Sequence, residues 1–391
     1  MKHTTNVKIY MFIKKLFGSS LARMYNFTPI SSPAPDSPFL LIANHVTNYD
    51  PILIGIAMDS HMYFVAGEHL YRGNPIMRLA TKLFSPISRI KGKSGASTTI
   101  QIIKTLKDGS NVCLFAEGNT TFNGITEPIS NATGKLARIS GATLVTYRIE
   151  GAYLASPRWG RGLRKGPVSG SVVGIYPPDQ LKEMTPEEIT DRINRDIYED
   201  AFDRQTTDKR QYRGKYLAER LELALYICPK CEQIGTLKSA YNTFGCSCGF
   251  SAHLNENGFF EGEELPFETI KEWDAWQDSK MTELAEKLSD DKPLFFDKGF
   301  ILRKVFQTHK YITESKGALS MSAKELICGT KRFPINEISG MAIHGPANLV
   351  FSVGSDYYEI KPSNLSCTRK YFTLYNKLKE KHNRKRQSLK G

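Results

Sequence analysis

A histidine and an aspartate stand five positions apart in a short polar segment, residues 44–50. Their side chains could act as a general base and the group that orients it. On a regular helix His45 and Asp50 would lie about 140° apart, since each residue turns by about 100°. They can meet if residues 46–49 form a loop and Asp50 begins the following helix, with Pro51 at the first helical position. The alternatives are that Asp50 only caps the helix and that His45 is a hydrogen-bonded turn residue.

Apolar runs flank this segment at residues 39–43 and 52–58. The first predicts a buried strand and the second a buried helix, and open α/β sheets carry their chemistry at the carboxyl ends of strands. From about Pro38 to Gly174, short apolar runs alternate with helix-like spacing, which predicts a layered α/β domain. Strands are predicted at 39–43, 62–66, 111–116, 143–149 and 169–175, and helices at 74–83 and 97–106.

Two further helices are predicted after these strands. Thr185 and Glu188, with Pro186 between them, have the spacing of a capping box at a helix start. Isoleucines at helical spacing extend this helix to about Phe202. A second apolar pattern predicts a helix over 215–226, where the α/β domain is expected to end.

Four of the seven cysteines are clustered. Cys228 and Cys231 form one pair, and Cys246 and Cys248 follow after fourteen intervening residues. Two such pairs can surround a tetrahedral zinc ion, and a closed shell of four thiolates is typical of a structural site. We therefore predict a structural zinc ribbon in a reducing compartment. Reduced cysteines without metal and a rubredoxin-like iron site are the alternatives.

The last hundred residues have a different pattern. Short β-prone runs separated by Gly, Ser, Asn and Asp follow a helical segment near 267–288. They lie at 300–304, 319–321, 325–328, 349–353 and 357–360. A helix from about Thr368 to Lys381 follows, and then a basic tail. Strands closed by one terminal helix resemble a pleckstrin-homology-like module, and a small β-sandwich without lipid affinity is the alternative.

The net charge of +13 indicates an anionic partner, which could be a membrane surface, nucleic acid or an acidic carrier protein. Near the N-terminus, apolar residues are interspersed with Lys8, Lys14, Lys15 and Arg23, as in a basic amphipathic helix that lies in a headgroup layer. A helix packed on its own domain is the alternative. No run reaches the roughly 18 apolar residues that a membrane-spanning helix needs. The composition, 40% hydrophobic and 24% charged, is that of an ordinary globular protein.

Four blocks in the first half of the chain resemble the signatures of the glycerolipid acyltransferases, the 1-acylglycerol-3-phosphate (lysophosphatidate) acyltransferase superfamily. The segment around His45, ANHVTNYDP, is similar to the first block. The second, GEHLYRGNPIMRLATKLFSPISRIKG, contains Arg89 at the place of the family's arginine. The third, VCLFAEGNTTFNG, matches the family's glutamate and glycine with Glu117 and Gly118, and GATLVTYRIEGAY resembles the fourth. The blocks occur in the family's order across residues 38 to 153.

This resemblance implies direct acyl transfer without a serine or cysteine nucleophile. His45 would take the proton from an acceptor hydroxyl that attacks an acyl thioester, while Asp50 would orient the imidazole. The donor and co-substrate would be acyl-CoA or acyl-carrier protein. The expected substrate-binding residues are Arg89, Glu117, Gly118, Asn119, Thr120 and Arg148.

Thr120 departs from the family pattern, because it stands where the third block usually carries an arginine. A threonine cannot form the bidentate contact with phosphate that an arginine forms. Asn119 and Thr120 could instead hydrogen-bond a hydroxyl-rich or uncharged headgroup. Alternatively, Arg148 or Arg72 could supply the missing charge. The sequence therefore specifies the reaction better than it specifies the acceptor.

The predicted fold class is α/β for a layered glycerolipid-acyltransferase-like domain, followed by a small zinc ribbon and a β-rich domain closed by a C-terminal helix. We expect an amphipathic N-terminal segment at 1–30 and the acyltransferase domain at 31–226. The zinc ribbon is expected at 227–255 and a helical linker at 256–292. The β-rich, possible pleckstrin-homology-like domain with its basic tail would occupy 293–391.

Together these features predict a cytoplasmic acyltransferase, peripherally associated with the membrane, that acts in phospholipid biosynthesis. It would move a fatty acyl group to the hydroxyl of a lysophospholipid, either 1-acylglycerol-3-phosphate or a related lysolipid. The expected partners are this acceptor, the acyl donor and an anionic membrane surface. The alternatives are a lipid-binding scaffold without activity and a zinc-ribbon nucleic-acid-binding protein. The ribbon segment is not notably basic, which argues against nucleic acid as a partner.

Overall fold

The computed structural model describes residues 3–30, 35, 38–73, 75–89, 95–306 and 309–388. These residues fold into two compact units. Unit 1 contains the described residues up to Arg89, residues 95–217 and Asn255–Phe259. Unit 2 contains Ala218–Leu254 and the described residues from Phe260 onward. The five-segment division of the sequence, with its boundaries, remains a prediction.

Unit 1 consists of one sheet with helices packed around it. Its helices are α1 (His3–Met24), α2 (Asp50–Ala57), α3 (Pro75–Phe84), α4 (Ala96–Lys107), α5 (Asn131–Ser140), α6 (Ala152–Ala155), α7 (Pro178–Glu183), α8 (Pro186–Ile197) and α9 (Ala201–Asp208). Its strands are β1 (Phe27–Pro29), β2 (Phe39–Ala43), β3 (Met62–Gly67), β4 (Ile87–Arg89), β5 (Asn111–Phe115), β6 (Thr143–Glu150) and β7 (Val168–Tyr176). The five strands and two helices predicted in this region are all present, with ends shifted by at most one residue.

The sheet of unit 1 has the strand order β1-β7-β6-β2-β5-β3-β4. Its neighbours pair in parallel except for β6 and β7, which are antiparallel. All five residues of β2 are buried. Ala43, at the end of β2, pairs with Phe115 of β5 and with Tyr147 of β6. The residues that follow β2 and β5 therefore emerge together at one edge of the sheet.

Helices α4, α5 and α8 supply the core on one face of this sheet. Leu40, Ile42 and Val112 of the strands pack with Ile102 of α4 and Leu136 of α5, among other buried apolar residues. Each such aliphatic side chain contributes about 1.5–3 kcal/mol when it is fully buried. The continuous apolar runs of β2 and β5 reflect this position, since a strand buried on both faces does not alternate.

Two helix predictions for this part of the chain are wrong. The helix expected from 186 to about Phe202 begins as predicted, with a complete capping box at Thr185 and Glu188, but ends at Ile197. A separate helix starts at Ala201, because the carboxylate of Asp200 caps the amides of Phe202 and Asp203.

The helix expected over 215–226 is reduced to a single 3₁₀ turn at Leu221–Leu223. Arg220, just before this turn, has a left-handed backbone with φ of 75°, which a regular helix does not allow. Residues 223–226 are all buried, so this apolar run is explained by a segment enclosed on every side and not by one buried face of a helix. A helix packed on one face would have shown alternating exposure.

Unit 2 contains two sheets and two long helices. The strands are β8 (Leu237–Ala240), β9 (Thr243–Cys246), β10 (Ser251–Leu254), β11 (Phe260–Glu261), β12 (Phe295–Val305), β13 (Tyr311–Met321), β14 (Glu325–Cys328), β15 (Lys331–Pro334), β16 (Ile338–His344), β17 (Asn348–Val353) and β18 (Asp356–Pro362). The helices are α10 (Ile270–Lys287) and α11 (Arg369–Ser388). The β-rich region and its closing helix are confirmed, while β15 and β16 were not predicted.

Both sheets of unit 2 are antiparallel. The smaller has the order β11-β10-β9-β8 and the larger has the order β15-β14-β13-β12-β18-β17-β16. The two helices hold the chain just before the first cysteine pair. Asp274 of α10 and Arg369 of α11 form a bidentate ion pair, and Arg369 also donates to the carbonyl of Ala224.

Helix α1 packs on α2 through one face and exposes the other. The Tyr10 hydroxyl donates to the carbonyl of Gly55 at 2.7 Å, and Lys14 Nζ donates to the carbonyl of Met58 at 2.6 Å. Phe12 and Leu16, by contrast, are 66% and 58% exposed. Among the described residues, none of the helices combines the length and the hydropathy required to cross a bilayer.

Candidate active site and metal centre

The loop between β2 and α2 brings His45 and Asp50 into contact. His45 Nδ1 lies 2.8 Å from Asp50 Oδ2. The Asp50 side chain is fully buried, whereas that of His45 is 21% exposed. An ionised carboxylate only accepts hydrogen bonds, so this contact places the imidazole proton on Nδ1 and leaves the lone pair of Nε2 available.

The carboxylate of Asp50 is held by the loop that precedes it. It accepts the backbone amides of Val46 at 2.6 Å and Thr47 at 3.0 Å, and the Thr47 hydroxyl at 2.8 Å. Tyr49 occupies the cap position of α2, without a side-chain cap, and Asp50 is the first helical residue. The carboxylate thus points back towards His45 and does not cap the helix.

The imidazole of His45 lies flat against Phe115, the last residue of β5. The ring centroids are 4.3 Å apart and the planes differ by 21°. Phe115 is buried, so its ring is held in place and supports one face of the imidazole. With one face on Phe115 and Nδ1 on Asp50, the imidazole ring has a single defined orientation.

Asn44 fixes the chain immediately before His45. Its side-chain nitrogen donates to the carbonyl of Ile149, and its side-chain oxygen accepts the amide of Ile149, both at 2.8 Å. The side chain therefore continues the pairing of β2 with β6 beyond the end of β2. Asn44 is fully buried. Asn44 belongs to the site although it was not among the predicted site residues; a polar side chain directly after a fully apolar strand was the available signal.

Glu117 follows β5 and reaches back to the same loop. Its Oε1 accepts the amide of His45 at 2.5 Å, and its Oε2 accepts the amide of Glu127 at 2.9 Å. Burial raises the pKa of Glu117 to about 8, against the effect of these two amide hydrogen bonds, which lower the pKa. The carboxyl group expected to bind substrate is thus engaged by the main chain.

The turn after Glu117 carries the other residues of the third block. Gly118 has φ of +77°, a left-handed conformation that side-chain-bearing residues adopt at a cost. Thr120, at the position of the family's arginine, is buried, and its carbonyl accepts a hydrogen bond from Arg158 at 2.7 Å. The amide of Thr121 then donates to the carbonyl of His45. This turn and the His45 loop are therefore bound to each other directly.

The arginines of the site differ in their surroundings. Arg89 ends β4 and is half-buried, and burial lowers its pKa. Among the residues that the structure describes, none forms a hydrogen bond or an ion pair with the Arg89 guanidinium. Arg148 donates to Glu150 at 3.0 Å, and Arg72 pairs with Glu68 at 2.7 Å. Both replacements considered for the missing arginine are thus already engaged by carboxylates.

The family comparison covers these residues. A family model described as Acyltransferase matches residues 25–150. This part of the chain is an acyltransferase domain. The match runs from just before β1 to the end of β6, so it contains His45, Asp50, Arg89 and Glu117. The expected acyltransferase character is confirmed for this domain.

One solved structure similar to the chain is the 1-acyl-sn-glycerophosphate (LPA) acyltransferase PlsC from Thermotoga maritima. The two are 19% identical, with a TM-score of 0.41, over 48% of this chain and 78% of that protein. No curated protein sequence matches the chain significantly.

The four clustered cysteines of unit 2 come together in the structure. The sulfur atoms of Cys228, Cys231, Cys246 and Cys248 all lie within 4.8 Å of one another. Cys228 Sγ is 3.7 Å from Cys248 Sγ, and Cys231 Sγ is 3.8 Å from Cys246 Sγ. A tetrahedral zinc ion with bonds of about 2.3 Å separates its sulfur ligands by about 3.8 Å. The residues present thus fit a four-thiolate metal site.

Proposed function

We propose that the acyltransferase domain transfers a fatty acyl group from a thioester, acyl-CoA or acyl-carrier protein, to the hydroxyl of a lysophospholipid. The observation that carries this proposal is the contact of His45 Nδ1 with the buried carboxylate of Asp50. This contact prepares Nε2 to act as a general base. Nucleophilic attack by the acceptor itself then needs no covalent acyl-enzyme.

The chemistry proceeds by one transfer in which His45 moves the proton. Nε2 takes the proton of the acceptor hydroxyl as its oxygen attacks the thioester carbonyl carbon. The new ester bond forms, the carbon–sulfur bond breaks, and the thiolate leaves with the proton that the imidazolium returns. Asp50 stabilises the imidazolium and keeps the proton of Nδ1 in place, as in other acid–base pairs of this kind.

Arg89 is the proposed ligand of the acceptor phosphate. It ends β4, and β2 lies three strand positions away, so the two strand ends are separated by about 14 Å at about 4.8 Å per strand. The side chains of Arg89 and His45 and the acceptor's own backbone can bridge this distance. A guanidinium is suited to phosphate because it offers paired donors. We further propose that Asn119 and Thr120 shape the acceptor site without contributing a charge.

The proposed place of action is an anionic membrane surface. The exposed face of α1 combines Phe12 and Leu16 with the exposed cations Lys8 and Lys15, a combination that favours binding in a lipid headgroup layer. The opposite face is fixed to α2, the helix that begins at Asp50. Docking through α1 would therefore bring the acceptor lipid to the side of the molecule that carries His45.

We propose that the four cysteines hold a structural zinc ion. Zinc supplies a rigid tetrahedral cross-link between the two cysteine pairs, and a shell of four thiolates leaves no position for a substrate. The cysteines lie in unit 2, outside the residues that match the acyltransferase family. The ion would accordingly stabilise the fold of unit 2 without a part in acyl transfer.

The decisive experiment measures turnover of a labelled acyl-CoA with a panel of lysophospholipids, read by mass spectrometry. We expect His45→Ala to abolish transfer and Asp50→Asn to lower kcat by about 10³–10⁴-fold, since an amide would favour the wrong tautomer. Circular dichroism verifies that each variant is folded. Wild-type turnover by a folded His45→Ala protein with every acceptor would refute the proposal.

A second measurement tests the acceptor. Arg89→Ala should raise KM for a phosphate-bearing lysolipid by about 10- to 100-fold and leave KM for the acyl donor unchanged, because a charged hydrogen bond is worth about 1.5–3 kcal/mol. Arg138→Ala, on the exposed end of α5, is the matched control. Equal KM values for wild type and Arg89→Ala would exclude Arg89 as the phosphate ligand.

A further inference from the structure

Three contacts with residues distant in sequence hold the chain at Asn44 and His45. Asn44 pairs with Ile149 of β6, Thr121 donates its amide to the His45 carbonyl, and Glu117 accepts the His45 amide. Two of these partners follow β5 in the sequence. The conformation of the His45 loop is thus set largely by residues beyond the end of β5.

We infer that Glu117 is a positioning residue for His45 and does not bind the acceptor. This inference rests on the proposed function, since it assigns a role within that reaction. The geometry is specific, because each carboxyl oxygen of Glu117 is engaged by a backbone amide, that of His45 at 2.5 Å and that of Glu127 at 2.9 Å. Both carboxyl oxygens thus have a main-chain partner, and one of these partners is the amide of His45 itself.

Charge supports the same conclusion. Neither protonation state of Glu117 places a positive charge beside a phosphorylated acceptor, whereas both states can accept the backbone amide of His45. Burial raises the pKa of Glu117, and the nearby carboxylates of Asp50 and Glu127 raise it further. The two amide contacts require two acceptor oxygens, which a carboxyl group supplies and a side-chain amide does not.

The consequence of this contact is the location of Nε2. Removing Glu117 frees the amide of His45 and leaves the contact of Thr121 with the His45 carbonyl to join the two loops, while Phe115 and Asp50 still hold the ring. The imidazole would then be displaced by a fraction of an ångström to about 1 Å, a shift that costs about 10- to 100-fold in rate. Binding of the acceptor would not change, because no contact to it is lost.

The test compares Glu117→Ala and Glu117→Gln with Glu127→Gln. Glu127→Gln removes a neighbouring carboxylate but keeps the backbone amide that Glu117 accepts, so it is the matched control. We expect Glu117→Ala to lower kcat by about 10- to 100-fold with KM for the acceptor within about twofold of wild type. Glu117→Gln keeps one acceptor oxygen, so its kcat should lie between those of Glu117→Ala and the wild type. Glu127→Gln should retain wild-type kcat.

A spectroscopic readout separates positioning from general destabilisation. The proton on His45 Nδ1, bonded to Asp50, should give a resolved downfield NMR signal that His45→Ala removes. We expect this signal to move in Glu117→Ala and Glu117→Gln and to stay in place in Glu127→Gln. If Glu117→Ala does not fold, Glu117→Gln provides the same readouts.

Two results would overturn the inference. A raised KM for the acceptor with unchanged kcat would make Glu117 a substrate ligand. Wild-type kcat in Glu117→Ala, with an unmoved Nδ1 signal, would show that the contact has no effect on His45. Either result beside an inactive His45→Ala would leave the proposed function intact, whereas an active His45→Ala would remove the proposed function itself.

Discussion

The side-chain amide of Asn44 and the main chain of Ile149 exchange two hydrogen bonds of 2.8 Å, although the residues are 105 positions apart. The pair joins the residue before His45 to strand β6 as an additional rung of the sheet. Asn44 is fully buried, so neither partner can replace these bonds with water. The contact makes the position of the His45 loop part of the sheet itself.

Asn44→Ala should therefore lower both stability and activity. It leaves the buried amide and carbonyl of Ile149 without partners, at about 1–3 kcal/mol for each group. We expect a reduced free energy of unfolding in urea and kcat lower by about tenfold or more, with His45 displaced. Asn131→Ala is the control, since Asn131 makes one exposed contact with Glu187. Equal effects of the two substitutions on unfolding would contradict this role.

Stability should depend on pH through Glu117. Burial raises the pKa of its carboxyl group from 4.5 to about 8, so the folded protein retains a proton that the unfolded chain releases at lower pH. The stabilisation is complete below the unfolded pKa and is lost as pH rises through the range up to about 8. The free energy of unfolding in urea should therefore fall more steeply with pH over this range for the wild type than for Glu117→Gln. Parallel profiles for the two proteins would count against it.

Metal removal should destabilise unit 2. If zinc joins Cys228 and Cys231 to Cys246 and Cys248, the purified protein should contain about one zinc per chain, and a chelator should lower its melting temperature. Cys228→Ser should lose the metal. Cys367→Ala should keep it, because Cys367 lies outside the four-sulfur cluster. A metal-free wild-type protein with the same melting temperature would rule out a structural zinc ion.

The ion pair between Asp274 and Arg369 should be worth more than the one between Asp278 and Lys377, although both join α10 to α11. The first is bidentate, with side chains 7% and 15% exposed, while Asp278 is 52% exposed. Asp274→Ala strands a buried guanidinium and should cost about 3–5 kcal/mol of unfolding free energy. Asp278→Ala should cost about 0–1 kcal/mol. Urea titration measures the loss of unfolding free energy in each variant. Similar losses would show that burial does not make the Asp274–Arg369 pair the stronger one.

Local sequence alone determined a large part of this protein. The apolar run at Phe39–Ala43 defined β2 to the residue, and Thr185 and Glu188 located the start of α8. The spacing of the four cysteines predicted a cluster that the structure contains. These features depend on residues close in sequence, within about twenty positions even for the cysteines, where backbone preferences and side-chain chemistry act directly. The acyltransferase resemblance likewise came from short blocks, and the family match confirmed it over residues 25–150.

Only the tertiary structure decided how the blocks act on one another. The spacing of His45 and Asp50 allowed a contact or a helix cap, and the chain took the contact because Val46 and Thr47 turn their amides towards the carboxylate. That Glu117 accepts the His45 amide depends on β5 lying beside β2, which no local pattern encodes. Tertiary packing also explains why the helix predicted at 215–226 is absent apart from one 3₁₀ turn. The apolar residues at 223–226 of this segment are buried on all sides and do not form the single buried face of a helix. Strand order, and with it the partners of each polar group, is a property of the whole sheet.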